Sequence, residues 1–463
     1  MLDIQALIFY EKTSIIISKL HILVKRAKNE AAIMKIHVVQ NGETLQSIAD
    51  LYGVSVELII RTNGIAAQGN LVQGQSIVIT FPEQTYIVQN GETLLDIADK
   101  NGVTVLELLR NNPFLVDKQY LYPGENLIIS YGEKIRKITT NGYASSYIDK
   151  NTLRKTLPYL TYLSVLGYKM TENGEVADID DMEILQLSKA YDVAPLLIIT
   201  TLSTLGPTNI ENALAILNNE TIMDRLIDNL VAILKKKGYY GINITYELLS
   251  NLTLSAYERF NAKAYTRFKK EGLYYLVTIS PNIVFTATGI TFEKIDYSNI
   301  ATQSDGLVVL NYLWGSFLGP PAPVVSVKRI NEFLDYLLPI ILPGKLMLGL
   351  PLIAYDWELP YIVGLSKASS LSLDSVIRLA KQNNVIIQFD KTSQTPFYSY
   401  TTPKTGISRE HIVWFVDARS MDASLKIITD RGLAGSGLWN IMQFSPQLWA
   451  VINTQYEIEH ILI

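Results

Sequence analysis

Residues 238–247 read Gly-Tyr-Tyr-Gly-Ile-Asn-Ile-Thr-Tyr-Glu, and this stretch decides the fold class. Its isoleucines alternate with Asn243 and Thr245, which is the period-2 pattern of a β-strand. The stretch ends on Glu247, at the point where such a strand would emerge from a sheet or barrel. A carboxylate at the C-terminal end of a barrel strand is a usual position for sugar-cleaving chemistry. The stretch therefore predicts a buried strand with a candidate acid at its tip.

Apolar strands alternate with amphipathic helices on both sides of this stretch. Eight such strands predict an α/β fold, a TIM (β/α)8 barrel over residues 138–455. The predicted barrel strands are 137–144, 160–167, 195–202, 238–247, 274–280, 306–314, 346–354 and 435–443. Further β-like segments follow the seventh strand, so we expect a small α+β insertion over residues 358–417.

The N-terminal part of the chain repeats itself. Residues 37–45 match residues 86–94, and the alignment continues to pair Asn63 with Asn111. Internal repetition at this period indicates two copies of one small module. The copies span residues 36–80 and 85–130.

Each copy predicts a strand, two helices and a strand. Thr44 and Thr93 precede the first helix of their copies, where a threonine side chain can cap the free backbone N–H groups. Modules of this size have no room for a catalytic pocket, so a binding role is expected. Acidic residues outnumber basic ones two to one over residues 35–130, which suits an uncharged sugar better than a polyanion.

Composition excludes several functional classes. The chain is 48% hydrophobic and 18% charged, which is typical of an ordered protein. Its net charge of −4 and the lack of a basic cluster argue against nucleic acid as a partner. The absence of cysteine excludes disulfides, thiolate zinc sites and a cysteine nucleophile. The four histidines lack metal-ligand spacing, so we expect neither a metal nor a cofactor.

Residues 1–33 precede the first repeat and allow two interpretations. They contain no uninterrupted apolar run of about 20 residues, so a membrane-spanning helix is not expected. They also lack the small-residue cleavage site that would follow the apolar core of a signal peptide. The segment fits an amphipathic extension or a start assigned too early, because Met34 directly precedes the repeat.

The two repeats share the pattern Val-x-x-Gly-Glu-Thr-Leu-x-x-Ile-Ala, followed by an asparagine and a late Gly-x-x-Leu/Ile-x-Ile strand. This pattern resembles the lysin motif (LysM) family. The resemblance implies that each copy binds N-acetylglucosamine moieties of peptidoglycan or chitin in a shallow groove. Carried over to this chain, the groove residues are Gly42, Thr44, Leu45, Ile65 and Leu71 in the first copy, and Gly91, Thr93, Leu94, Phe114 and Leu121 in the second. The threonines and glycines also fit a plain helix cap and turn, and both interpretations can hold.

Five stretches of the predicted barrel form a second pattern. They are 238–247, 312–315 with 319–321, 345–351 with 355–357, 413–415 with 417–420, and 437–439. In this order they resemble glycoside hydrolase family 18, in particular its branch of spore-cortex and cell-wall N-acetylglucosaminidases that carry two N-terminal lysin motifs.

This second resemblance implies substrate-assisted hydrolysis with retained configuration. A glutamic acid protonates the glycosidic oxygen, and the 2-acetamido carbonyl of the substrate attacks the anomeric carbon. An aspartate two residues earlier stabilises the acetamide. The residues so assigned are Glu247 as the acid, Tyr312 on the acetamido group, Trp439 as the floor, and Asn243, Thr245, Trp314, Asp356 and Trp357 as further substrate contacts.

The chain departs from the family pattern at its acids. The family strand reads roughly Asp-Gly-x-Asn-x-Asp-x-Glu, but this chain has Tyr240 and Thr245 at the two aspartate positions. Leu313 replaces a third carboxylate on strand six. A fixed negative charge in a dry pocket should strongly stabilise the positive oxazolinium, and Thr245 supplies none. Of the nearby acids, Asp305 opens strand six, and Asp356 fits a sugar-hydroxyl contact better than a replacement.

Two functions remain open at this point. The first is a glycan-binding cell-wall or spore protein whose barrel is catalytically weak or inactive. The second is an active retaining N-acetylglucosaminidase that hydrolyses peptidoglycan or chitin-like glycan with Glu247 as the acid. In both cases the partner is an N-acetylglucosamine-containing glycan, and the expected location is the spore or the cell wall, without a clear signal peptide.

Overall fold

The chain folds into two small N-terminal modules followed by a parallel barrel that carries an inserted sheet. The computed structural model describes residues 33–66, 71–199, 210–246, 249–286, 289–310, 317–404 and 407–461. The proposed extension lies outside these ranges except for Ile33, and so do Glu247, Tyr312 and Trp314. Within the described ranges no helix is long and apolar enough to cross a bilayer.

Each N-terminal module is a β-α-α-β unit, as the repeat predicts. The first consists of β1 (Met34–Val38), α1 (Leu45–Tyr52), α2 (Val56–Asn63) and β2 (Ser76–Thr80). The second consists of β3 (Gln84–Ile87), α3 (Leu94–Asn101), α4 (Val105–Asn111) and β4 (Asn126–Ser130). In each module the two strands pair antiparallel.

The predicted threonine caps are present in both modules. Thr44 Oγ1 accepts from the backbone N–H of Ser47 at 3.1 Å, and Thr93 Oγ1 accepts from that of Asp96 at 3.2 Å. Each hydroxyl satisfies one N–H that the first helical turn leaves without an intrahelical partner. The cap thereby fixes where each helix leaves the preceding Gly-Glu turn.

The repeat alignment is wrong at one residue. Asn63 accepts from the backbone N–H of Val78 at 2.7 Å, and it is Asn112 that makes the same bond to Ile128, at 2.8 Å. Asn63 therefore corresponds to Asn112, not to Asn111. Sequence alone could not choose between two adjacent asparagines, because both bond to the last strand and only Asn112 accepts from its backbone N–H as Asn63 does.

The second part of the chain contains the strands β5 to β22. In chain order they are Arg136–Ser145, Tyr162–Leu166, Lys169–Met170, Val176–Ala177, Ala194–Ile199, Gly241–Tyr246, Tyr274–Ile279, Ile283–Thr286, Gly289–Phe292, Gly306–Leu310, Leu346–Pro351, Ala354–Leu359, Ser369–Leu371, Gln388–Asp390, Thr395–Lys404, Ile407–Phe415, Gly435–Trp439 and Tyr456–Ile458. The helices α5 to α14 are Lys150–Thr156, Met182–Ala190, Ile210–Leu217, Glu220–Lys237, Leu254–Lys270, Ser298–Thr302, Val327–Leu337, Leu373–Gln382, Ala418–Asp430 and Pro446–Gln455.

Eight parallel strands close the predicted TIM barrel. The order around the barrel is β5, β6, β9, β10, β11, β14, β15 and β21, and β21 pairs back onto β5. Outward-facing side chains such as Ile242, Ile244 and Tyr246 pack against the surrounding helices in one large core. A smaller apolar cluster that includes Leu196, Leu276 and Val308 fills the barrel interior. The alternation of strands and helices in the sequence therefore predicted the closed barrel.

The insertion is a five-stranded antiparallel sheet with one helix. Its strand order is β17-β16-β20-β19-β18, and α12 packs on it. The sheet begins at Ala354, so the insertion starts earlier in the chain than the predicted position 358. Residues 354 onward pair with β20 and not with a barrel strand. The apolar run after Leu346 hides this boundary, because it continues from one sheet into the other.

The last helix of the chain, α14, holds both N-terminal modules. From the first module, Asn63 Oδ1 accepts from Gln447 Nε2 at 3.0 Å. From the second, the guanidinium of Arg110 donates to Asn453 Oδ1 at 2.9 Å, and Asn453 Nδ2 donates to Asn111 Oδ1 at 2.8 Å. Both modules therefore have fixed positions against the barrel.

Candidate functional site

Three residues of strand β10 face the interior of the barrel. Because successive side chains alternate across a strand, Gly241, Asn243 and Thr245 face inward while their neighbours join the outer core. Asn243 is fully buried, and Thr245 is 7% exposed. Thr245 lies in register with Thr278 of β11. The C-terminal half of the barrel interior is therefore polar on this side.

Asn243 ties four barrel strands together. Its Nδ2 donates to Ser164 Oγ at 3.1 Å and to Tyr143 Oη at 3.4 Å, while its Oδ1 accepts from Thr278 Oγ1 at 2.8 Å. Burial raises the pKa of the Tyr143 phenol, which keeps that partner neutral. The amide group of Asn243 thus forms its hydrogen bonds with protein partners. Its assignment as a substrate contact stays a prediction.

Thr245 contrasts with Asn243. Its Oγ1 is buried and has no hydrogen-bond partner among the residues that the structure describes. A buried polar atom without a partner costs about 1–3 kcal/mol of folding free energy. The Nδ2 of Asn141, on β5, is also buried without a partner within the described ranges. The inner wall of the barrel therefore presents polar atoms that its described neighbours do not satisfy.

We expect Asn243→Leu to lower the free energy of unfolding by about 2–4 kcal/mol, because Ser164, Tyr143 and Thr278 would each lose a buried partner. Thr245→Val is the matched control. It removes a hydroxyl that has no partner among the described residues, so we expect no loss of stability. Denaturant unfolding of both variants tests this, and equal destabilisation would contradict the network.

Trp439 ends the last barrel strand beside this network. Its ring lies 5.4 Å from that of Tyr143, centroid to centroid, at an interplanar angle of 55°. The indole is partly exposed, and the peptide bond to Asn440 is cis. The predicted floor residue therefore sits at the C-terminal mouth of the barrel, directly above Tyr143.

The two predicted contacts from the insertion, Asp356 and Trp357, have protein partners of their own. The carboxylate of Asp356 accepts from Tyr400 Oη at 2.6 Å and lies 3.1 Å from His411 Nδ1. Trp357 is 1% exposed, and its indole N–H donates to the Gly319 carbonyl at 3.0 Å. Protein side chains thus cover both faces of Trp357. Stacking on a sugar would require these side chains, which include Tyr355 and Val416, to move away. Both assignments stay predictions.

The predicted groove residues of the first module lie together. Gly42, Thr44, Leu45 and Leu71 line one groove of about 940 Å³. Ile65 does not line it but packs beneath it, on the small core of the module. The groove thus forms between the Gly-Glu-Thr-Leu turn and the loop before β2.

In the second module the corresponding apolar residues, Leu94, Phe114 and Leu121, pack against one core. Gly91 has a φ of +82°, which only glycine adopts readily, and no atom outside its turn lies near it. Phe114 faces the junction of the modules, where the Arg61 guanidinium lies 4.2 Å from its ring centroid.

The barrel region and the two N-terminal modules each match the model of a known protein family. Residues 141–443 match the model of glycosyl hydrolases family 18, and residues 37–80 and 86–130 each match the LysM domain. The chain belongs to glycosyl hydrolases family 18. Its barrel is accordingly called the family 18 barrel below, and its two modules the first and second LysM domains.

Several relatives align with nearly the whole chain. The cortical fragment-lytic enzyme of Bacillus subtilis (strain 168) is 34% identical over 431 residues, which covers 92% of this chain and 99% of the relative. That of Bacillus anthracis is 30% identical over 433 residues, with coverage of 92% and 99%. The crystal structure of the Bacillus cereus spore cortex-lytic enzyme SleL superimposes with a TM-score of 0.74 at 27% identity, covering 92% of this chain and 99% of that one.

The strands of the family 18 barrel carry no acid. None of the eight barrel strands contains Asp or Glu, and the buried acids among the described residues are Asp181 and Asp417. Asp181 bonds to Lys237 outside the barrel, and Asp417 caps α13. Asp305 lies before the N-terminal end of β14, opposite to the site, and accepts from the Tyr275 backbone N–H. Glu247 lies outside the described residues.

Sequence reasoning missed the partners of Asn243 within the family 18 barrel. Ser164 and Thr278 are polar residues at inward positions of strands that are otherwise mostly apolar, and Tyr143 lies at an inward position of β5. That contrast was the available signal, because a polar residue on the core face of a strand must find a buried partner. The sequence could not show that the partners meet at one amide.

Proposed function

We propose that this family 18 protein binds peptidoglycan, or another N-acetylglucosamine-containing glycan, at the cell wall or spore, and that its barrel is catalytically weak or inactive. The two LysM domains support the binding, and so does similarity along the whole chain to cortical fragment-lytic enzymes. Within the barrel we assign Tyr312, Trp314 and Trp439 to sugar contacts and Glu247 to the acid position.

One observation carries the catalytic half of the proposal. The position two residues before Glu247, where the family has an aspartate, holds a buried threonine whose hydroxyl has no described partner. A threonine can accept one hydrogen bond from an acetamide, but it offers no charge to a positive oxazolinium. Loss of one preorganised stabilising group typically lowers the rate about 10²–10³-fold.

The alternative is an active retaining N-acetylglucosaminidase. It is favoured by the names of the curated relatives, which are lytic enzymes, and by the retention of Glu247 at the strand end. In that case the substrate's own acetamide would still supply the nucleophile, and Glu247 would still protonate the leaving oxygen. The two functions differ in whether the protein hydrolyses the glycan. Both include binding of the glycan.

The experiment compares the wild-type chain with Glu247→Gln on spore-cortex peptidoglycan and on N-acetylglucosamine oligomers. We expect the wild type to sediment with the peptidoglycan and to release no more reducing ends than Glu247→Gln, which has the same shape without the acid. Matching unfolding curves would show that both chains are folded. Release of reducing ends that disappears in Glu247→Gln would establish the active enzyme, and a failure to sediment would refute the binding.

A further inference from the structure

The groove of the first LysM domain has a second wall that belongs to the insertion in the family 18 barrel. One side is formed by the domain itself, mainly by the turn that contains Gly42 and the loop that contains Gln73. The facing side is the end of α12 and the segment that follows it, with Lys381, Asn384 and Ile386. The groove between them is therefore a composite of two domains.

Direct contacts hold the two walls at a fixed separation. Val72, from the loop before β2, is 6% exposed and packs into the core of the insertion. The backbone N–H of Ile387 donates to the Gln73 carbonyl at 2.9 Å, and the Arg419 guanidinium donates to the Gly74 carbonyl at 3.2 Å. Both walls thus move as one body at this end of the groove.

The second LysM domain shows that this wall is not a property of the LysM fold. Tyr122 occupies the place of Val72 in the same turn, since Glu125 N–H bonds to the Tyr122 carbonyl as Gln75 N–H bonds to that of Val72. Tyr122 is 61% exposed, where Val72 is buried. The corresponding edge of the second domain is therefore open, and the composite groove is specific to the first.

The charges of the composite groove come from Glu43 and Lys381. Glu43 is already satisfied, because its carboxylate lies 2.7 Å from both His37 Nε2 and the Gln40 backbone N–H. Lys381 is exposed and has no ion-pair partner in the described part of the chain. Beside it, Ile386 is 55% exposed and offers an apolar surface. The insertion thereby adds a cation to a groove whose LysM wall has none among its described residues.

We infer that the composite groove binds a glycan whose N-acetylated sugars carry substituents with free carboxylates, as the stem peptides of peptidoglycan do. Lys381 pairs with a carboxylate of the glycan, and Ile386 packs on its acetamido methyls or sugar faces. The polar side chains of the LysM wall, such as Gln40, Asn41 and Thr44, contact hydroxyls and amides. This inference rests on the proposed glycan binding and deepens it, because it assigns the preference for an anionic over a neutral glycan to Lys381.

The test uses the full chain and two soluble probes, a neutral N-acetylglucosamine tetramer and a peptidoglycan fragment that carries stem-peptide carboxylates. We expect Lys381→Gln to weaken binding of the fragment about 3–10-fold and to leave the tetramer unchanged. Added salt should shrink the difference between variant and wild type, because an exposed ion pair is screened. Ile386→Ser should weaken binding of both probes.

The matched control is Lys391→Gln, which removes an exposed lysine of the same insertion that does not line the groove. We expect this variant to bind both probes as the wild type does. If Lys381→Gln and Ile386→Ser also bind like the wild type, the composite site is refuted while glycan binding stands. If the wild type binds neither probe, the proposed function itself fails.

Discussion

Thr245→Asp is expected to raise the rate of glycan hydrolysis about 10²-fold over the wild type. The new carboxylate would stand two residues before Glu247, on the inward face of β10, and would stabilise positive charge on the substrate's acetamide. Thr245 is only 7% exposed, so the carboxylate would act where water screens it little. Release of reducing ends from N-acetylglucosamine oligomers measures the change.

Two further variants separate charge from shape. Thr245→Asn has nearly the size of aspartate but no charge, so we expect no gain in rate. The double variant Thr245→Asp with Glu247→Gln should fall to the level of Glu247→Gln alone, because the added charge stabilises an intermediate that only the acid helps to form. A gain in Thr245→Asn would show that polarity and not charge is missing. An unchanged rate in folded Thr245→Asp would show that the lost activity lies elsewhere.

Gly74→Ala is expected to detach the first LysM domain from the insertion. Gly74 has a φ of +85°, and a β-carbon there would lie 1.9 Å from the Ile387 carbonyl oxygen. The loop would have to move, which would break two hydrogen bonds and expose Val72. We expect a loss of about 3 kcal/mol beyond the backbone strain, from the buried side chain and the two bonds.

Gly124→Ala is the matched control for this change. Gly124 occupies the same turn of the second LysM domain with a φ of +90°, but no atom lies within 4 Å of its hypothetical β-carbon. It should show only the strain of a left-handed residue, about 1–2 kcal/mol. Denaturant unfolding gives the difference, and hydrogen exchange at Ile387 should rise in Gly74→Ala alone. Equal effects of the two changes would contradict the docking.

The barrel and the modules were predictable because local patterns encode them. The alternation of Asn243 and Thr245 with isoleucines shows which side chains face inward, and the repeated Gly-Glu-Thr-Leu turn identifies a second copy of the first module. Each signal is a short pattern of neighbouring residues, so it can be recognised without knowledge of tertiary contacts. The roles of individual site residues are less accessible, since Trp357 is as suitable for stacking as for the buried position it occupies.

Tertiary contacts account for what the sequence did not reveal. Val72 and Tyr122 are both apolar residues in equivalent turns, yet one is buried against the insertion and the other is exposed. Nothing near them in sequence distinguishes the two environments. The asparagine correspondence failed for the same reason, since Asn112 is defined by its bond to Ile128 on a distant strand. Such pairings depend on how whole elements meet.

The contacts that both LysM domains make with α14 also set an order of events during synthesis. The two LysM domains leave the ribosome before the barrel, but Gln447 and Asn453, which hold them, belong to α14, which follows the barrel strands in the chain. At usual elongation rates of about 5–20 residues per second, the domains wait tens of seconds before that helix emerges. Through this interval neither domain has its contacts with α14, and docking follows the synthesis of the whole barrel.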